Sequence, residues 1–374
     1  MTNIHWLGAG LSSIPGIRRL ASNKRNITVW NRTLEKAQNS INHVNLNSAK
    51  AKELDFQLLE SEINKGDIIV SQLSANMHFD VAKLCLKTNS HFATTSYLSE
   101  DLKKLNNEAK SKNLIFINEI GLDPGIDHFF SHLLVDDLNQ RQLSDIVVSY
   151  KSYCGGIPAT PDKFKYKFSW SPVGVIKALS NPAEFIQNYN EQIILKPYEH
   201  ISNYNINNET FEAYPNRNSL PYIKEYLLPK SWKIKEFVRG TLRLKGWANA
   251  WNEIFNMLGT PSDKLEEKIL IKSDELWSKY QYQYDEEDRV VLWVNIEAQK
   301  NKKNVWSGTY FLDERGSGEN TAMAKLVSIT LSAVLDLLIE GQLKPGVQAA
   351  PSDRDMINYI FKVLSEHSIK IIHK

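Results

Sequence analysis

Gly8-Ala9-Gly10 stands between a short apolar run and a segment with helical spacing, an arrangement suited to binding phosphate. Glycines let the chain turn tightly, and the backbone N–H groups and the positive end of the following helix then face a pyrophosphate. With Leu11 and Ser12 this makes half of a dinucleotide-binding fingerprint, Ser13 standing where a third glycine is usual. The bland alternative is a plain tight turn. About twenty residues further on, an NAD enzyme carries Asp or Glu for the ribose hydroxyls. Here the stretch reads Trp30-Asn31-Arg32-Thr33. A guanidinium at Arg32 can grip a 2′-phosphate through two parallel hydrogen bonds, so the spacing favours NADP over NAD. Otherwise Arg32 is a solvated loop residue.

In an open parallel sheet, ligands lie beyond the carboxyl ends of the strands. Those ends carry Ser71-Gln72-Leu73-Ser74, Thr94-Thr95-Ser96-Tyr97 and Asn118-Glu119-Ile120-Gly121-Leu122-Asp123-Pro124. Hydroxyls and amides there can orient a nicotinamide and a substrate, and Asp123 and Tyr97 can exchange protons. Read blandly, 123–125 is a turn and 94–96 a strand end. Cys154 sits beside Gly155-Gly156, where a ligand or another backbone can approach closely. A lone cysteine is more often an inert apolar residue than a nucleophile, so lining the site is the better reading. Arg217, Arg239 and Arg243 can each bind a carboxylate through two hydrogen bonds. Of the nine histidines only His128 and His132 stand at HxxxH spacing, with no further ligand motif beside them, so no metal site is expected.

These residues need a scaffold. Apolar strands at 4–7, 27–30, 68–73, 92–95 and 114–118 alternate with helical patterns at 14–22, 34–40, 80–87 and 100–112, which predicts a doubly wound parallel sheet. After Gly121-Leu122-Asp123-Pro124-Gly125 the pattern changes. A helix over 126–138 leads to strands at 146–153, 211–214, 237–244 and 290–297, with helices at 220–227 and 247–258, fitting a mostly antiparallel sheet. Helices return over 321–340 and 353–367, and the tail closes with a strand at 370–372, expected to pack back on the first domain. The chain has 374 residues, room for two cores. Net charge is +2 and the charges are interspersed, which disfavours nucleic acid as a partner. The apolar stretch over 326–339 is interrupted by Ser328, Thr330, Ser332 and Asp336 and reads as a buried helix, so no membrane is expected. Two cysteines and an N-terminus that enters a strand directly make the cytoplasm the expected compartment.

Several runs carry a resemblance. They are Asn118-Glu119-Ile120-Gly121-Leu122-Asp123-Pro124-Gly125-Ile126-Asp127-His128, Ser152-Tyr153-Cys154-Gly155-Gly156, Tyr166-Lys167-Phe168-Ser169-Trp170-Ser171, Ala213-Tyr214-Pro215-Asn216-Arg217, Val238-Arg239-Gly240-Thr241-Leu242-Arg243 and Thr321-Ala322-Met323-Ala324-Lys325-Leu326. In order and together they resemble the saccharopine reductase family, the glutamate-forming saccharopine dehydrogenases, over nearly the whole chain. The resemblance implies NADP held by Gly8 to Ser12, Asn31 to Thr33, Leu73, Thr95, Asp123 and Trp170. It implies an amino-acid substrate at Ser96, Tyr97, Asp123, Arg217, Gly240, Thr241 and Leu242, in a cleft between domains. Asp123, Tyr97 and Cys154 are the candidates for acid and base work, in no order the sequence can set.

The expected organisation is a Rossmann domain over 1–124 with 320–374, and an α+β substrate domain over 125–319 that can also form a homodimer contact. One departure stands out: only 261–288 occupies the place of a longer helical segment in the family, which opens the identity of the amine substrate. The rivals are a related reductive amine-coupling enzyme of the carboxynorspermidine dehydrogenase kind and a non-catalytic dinucleotide-binding protein.

Overall fold

A computed structural model describes residues 2–42, 48–169 and 171–374. The chain divides into two compact units, Met1–Phe129 with Met323–Ile369, and Phe130–Ala322 with Lys370–Lys374.

The first unit holds β1 (Asn3–Leu7), β2 (Asn26–Asn31), β3 (Ala49–Glu53), β4 (Ile68–Ser71), β5 (His91–Ala93) and β6 (Ile115–Ile117). Among the described residues they form one parallel sheet in the order β6-β5-β4-β1-β2-β3, with Gly346–Gln348 added beside β6. The order reverses between β1 and β4, and that switch point is where a doubly wound sheet opens a crevice for a ligand. Leu7, Trp30, Ile69, Phe92 and Phe116 share one buried cluster, as strands covered on both faces require. The expected helix over 100–112 is two, Glu100–Lys104 and Asn106–Ser111. β3 reads Ala-Lys-Ala-Lys-Glu and lacks a strand's apolar signature; it is an edge strand paired only with β2.

The helix Ala322–Ile339 has the length and mean hydropathy (1.9) of a membrane span, but 78% of it is buried within the protein. The first helix packs closely on it at Gly16, where an added Cβ would lie 2.2 Å from the Ser328 carbonyl oxygen. The Gly16 N–H donates to Ser328 Oγ at 2.8 Å.

The second unit contains β7 (Val147–Pro158), β8 (Ala183–Gln187), β9 (Asn190–Ile194), β10 (Ser202–Ile206), β11 (Glu209–Pro215), β12 (Lys233–Leu244), β13 (Asp288–Lys300) and β14 (Lys303–Gly316). The sheet runs β10-β11-β12-β7-β13-β14 and is antiparallel except where β12 meets β7. One face buries Tyr153, Phe211, Val238 and Leu242. The other carries an aromatic-rich layer built with the helices Pro172–Leu179, Trp247–Ala250, Asn252–Gly259 and Leu265–Tyr280. The last of these is the helical content of 261–288.

The domain limits differ from expectation. The first boundary falls after Phe129, and the C-terminal strand Ile371–His373 joins the second sheet, not the Rossmann unit. β14 would otherwise leave an open ladder edge; Phe311 pairs with Ile372, and the Tyr310 and His373 rings stack at 4.2 Å.

Candidate active site

The glycine turn leaves β1 at its carboxyl end, at the switch point. Gly8 has φ +99°, and a Cβ there would stand 2.7 Å from the Gln72 carbonyl oxygen, so both backbone and space demand glycine. The turn is tied at both ends: the Gly8 N–H donates to Trp30 O at 2.7 Å, and Ser13 Oγ donates to Gly8 O at 3.1 Å. Asn31 joins the two predicted cofactor segments, since its Oδ1 accepts from the Ala9 N–H at 3.2 Å and its Nδ2 donates to Thr33 O at 3.3 Å. Arg32 and Thr33 are exposed beyond β2. Thr33 stands at the N-cap position of the helix Leu34–Ile41, with no side-chain capping hydrogen bond among the described residues.

These features fit a dinucleotide. Leu11 is 60% exposed, and a Cβ on Gly10 would meet nothing within 4 Å, so the space beside the turn is open. Gln72, next to the turn, accepts from Thr95 Oγ1 at 3.2 Å, and its buried Nε2 has no hydrogen-bond partner among the described residues. A buried donor without a partner is costly unless an outside acceptor completes it. Leu73 packs on the buried cluster beside Gly8. Trp170 lies outside the described residues.

Past β5 and β6 the first unit gathers the remaining predicted groups. Tyr97 OH donates to Asp123 Oδ1 at 3.0 Å. Glu119 has φ +61° and is buried; its N–H donates to Ser96 O at 3.1 Å, and its Oε1 accepts from the Leu98 N–H at 2.8 Å. Glu119 thus clamps the loop that carries Ser96 and Tyr97. Its Oε2 lies 3.1 Å from His128 Nε2.

His78, which sequence reasoning passed over, opens the helix His78–Thr88 and is 3% exposed. Its Nδ1 lies 2.9 Å from Ser71 Oγ and its Nε2 2.7 Å from Ser96 Oγ. Burial lowers its pKa to about 4, so the ring is neutral at ordinary pH. No motif marks it, because its partners come from the ends of two other elements.

In the second unit Cys154, Thr241 and Tyr214 are register partners and share one face of the sheet. Cys154 is 8% exposed. Gly240 pairs with Tyr153 and Pro215, and a Cβ on it would strike the Tyr153 ring at 2.4 Å. Leu242 is fully buried in the opposite face, so of 240–242 only Thr241 brings a side chain to the face of Cys154. Arg217 lies exposed just past β11; its carbonyl accepts from the Glu184 N–H at 2.9 Å. The sheet therefore brings Cys154 and Thr241 together and holds the Arg217 backbone close to their end of β11. Arg239 and Arg243 are not loose carboxylate grips. Arg239 stacks over Tyr222 at 4.1 Å, and the buried Arg243 stands among the rings of Tyr166, Tyr214 and Trp247 at 5.0 to 5.6 Å.

Two family descriptions match the chain: saccharopine dehydrogenase NADP binding domain over residues 4–117, and saccharopine dehydrogenase C-terminal domain over 121–369. The chain belongs to the saccharopine dehydrogenase family. The saccharopine dehydrogenase (NADP+, L-glutamate-forming) of Schizosaccharomyces pombe is 35% identical over 260 residues, 66% of this chain and 56% of that protein's length. The enzyme of the same name from Pyricularia oryzae is 27% identical over 444 residues, covering 97% of this chain and 96% of that one. A match longer than this chain means that the relative carries stretches absent here. Apo saccharopine dehydrogenase (L-Glu forming) from Saccharomyces cerevisiae superposes with a TM-score of 0.83 at 25% identity, over 100% of this chain and 99% of that one. A Legionella pneumophila homospermidine synthase, at 11% identity and TM-score 0.66, shares the fold. The runs around Asp123, Cys154 and Gly240 thus resembled the family to which the chain belongs.

Proposed function

We propose that this protein is an NADP-dependent oxidoreductase that cleaves saccharopine to L-glutamate and 2-aminoadipate semialdehyde, or runs the reverse condensation, in lysine metabolism. The observation that carries the reading is the Tyr97–Asp123 hydrogen bond past the strand ends of a family Rossmann sheet whose glycine turn stands open. NADP, when bound, supplies the hydride acceptor. The turn from Gly8 to Ser12 would take the pyrophosphate, Asn31 to Thr33 the 2′-phosphoribose, and Leu73, Gln72 and Thr95 the nicotinamide side. Oxidation of the secondary amine gives an imine, which water opens. Tyr97 donates to Asp123, which steadies the phenol, and the pair supplies the proton-exchanging groups this reading assigns to the amine and the water. In this reading Arg217 is the anchor for a substrate carboxylate and Cys154 a third candidate for acid or base work. A homodimer and a cytoplasmic location belong to this reading.

The test is absorbance at the reduced-nicotinamide band with saccharopine and NADP or NAD in parallel. Turnover with NADP preferred is expected, and Arg32→Asp should cut kcat/KM for NADP by roughly 10- to 100-fold while NAD use falls less, the scale of lost charge-assisted hydrogen bonds. NADP binding without turnover would point to a different amine or to a non-catalytic protein.

A further inference from the structure

Around His78 the hydrogen atoms can be placed by exclusion. The Thr94 hydroxyl donates to the Ser71 carbonyl at 2.9 Å, so toward the imidazole its oxygen is only an acceptor. That oxygen lies 3.4 Å from His78 Nε2, and Ser96 Oγ lies 2.7 Å from the same nitrogen. A proton on Nε2 satisfies this pair of oxygens. The other ring nitrogen leads to the same tautomer. Ser71 is fully buried, and the single partner of its Oγ among the described residues is His78 Nδ1 at 2.9 Å. Were Nδ1 protonated, the Ser71 hydroxyl hydrogen would be buried with nowhere to go; with Nδ1 bare, Ser71 donates to it. The chain of bonds therefore runs in one direction, from Ser71 through His78 to Ser96.

The consequence falls on Ser96. Its oxygen accepts from His78, its N–H donates to Thr94 Oγ1 at 3.3 Å, and its carbonyl accepts from Glu119. Only its hydroxyl hydrogen remains, without an acceptor among the described residues, on a half-buried residue one place before Tyr97. The neighbouring Thr95 hydroxyl turns the other way, to Gln72 beside the glycine turn. We infer that His78 is a positioning residue that commits the Ser96 hydroxyl to donate a hydrogen bond to a carboxylate of the substrate. This rests on the proposed function, whose substrate is a poly-carboxylic amino acid. A serine free to rotate would offer either polarity; one fixed as a donor favours a carboxylate over an ammonium group. Burial keeps the ring neutral, so the direction of the chain holds at ordinary pH.

Two arms test it. Nitrogen-15 NMR of histidine-labelled protein should report a neutral His78 with the proton on Nε2; the Nδ1–H tautomer would overturn the inference, whatever the enzyme turns over. Kinetics form the second arm. Ser96→Ala should raise KM for saccharopine about tenfold or more, with KM for NADP unmoved. His78→Asn keeps an amide oxygen where Nδ1 accepts from Ser71 but does not reach Ser96, so it should match Ser96→Ala. The double variant should be no worse than either alone, as expected for coupled residues. His78→Gln extends an amide N–H toward Ser96 and should stay near the wild type. Multiplying effects, a Gln variant as impaired as Asn, or a shift in NADP KM in place of saccharopine KM would each sink the idea. If the wild type does not turn over saccharopine, the functional reading fails. Calorimetric titration with L-glutamate then decides the carboxylate contact: weaker binding in Ser96→Ala and His78→Asn supports it, and unchanged binding refutes it.

Discussion

Replacing His78 by glutamine removes one titrating group from the interior of the first unit, and the structure gives the size of the effect. Burial among Ser71, Thr94, Ser96 and the Phe92 ring, with no carboxylate in contact among the described residues, holds the imidazole pKa at about 4 against an ordinary 6.5. Between those values the unfolded chain binds a proton that the folded chain refuses, so stability present above pH 6.5 is lost as pH falls toward 4. At about 1.4 kcal/mol per pKa unit the full loss is about 3 kcal/mol. About 2 kcal/mol of it is reached between about pH 7.5 and about pH 5. His5, His91 and His367 are also lowered by burial and act in the same direction, but they are common to both proteins. The assay is urea unfolding of wild type and His78→Gln at both pH values. The wild type should lose about 2 kcal/mol more than the variant on acidification. Equal losses would refute the claim that the buried ring excludes its proton.

Two further outcomes follow from packing. Gly8→Ala forces a Cβ against the Gln72 carbonyl at a positive φ, so it should cost roughly 1–3 kcal/mol and abolish NADP binding, seen in thermal melts and a cofactor titration. Asp336 lies 2.8 Å from the buried Arg19 and 3.1 Å from Arg25, so Asp336→Ala strands a charge and should cost about 3–5 kcal/mol, lowering Tm by roughly 10 °C.

The parts of the site that could be read along the chain are those whose chemistry is local. A glycine turn between strand and helix and polar residues at strand ends can be located along the chain because the backbone alone sets where they fall. The strand β3 and the place of the C-terminal strand were hidden, since Ala-Lys-Ala-Lys-Glu has no apolar face and an edge is chosen by the partner that needs it. Arg239 and Arg243 looked like carboxylate grips until the fold wrapped them in aromatic rings.

The sequence by itself determined the Rossmann unit, the expectation of NADP and the kinship carried by the runs near Asp123, Cys154 and Gly240. Only the tertiary structure decided which hydroxyl points outward. Ser71, His78, Thr94 and Ser96 are ordinary residues in a row of letters, and their hydrogen bonds acquire a direction only when the ends of β4 and β5 and the start of a helix bring them together.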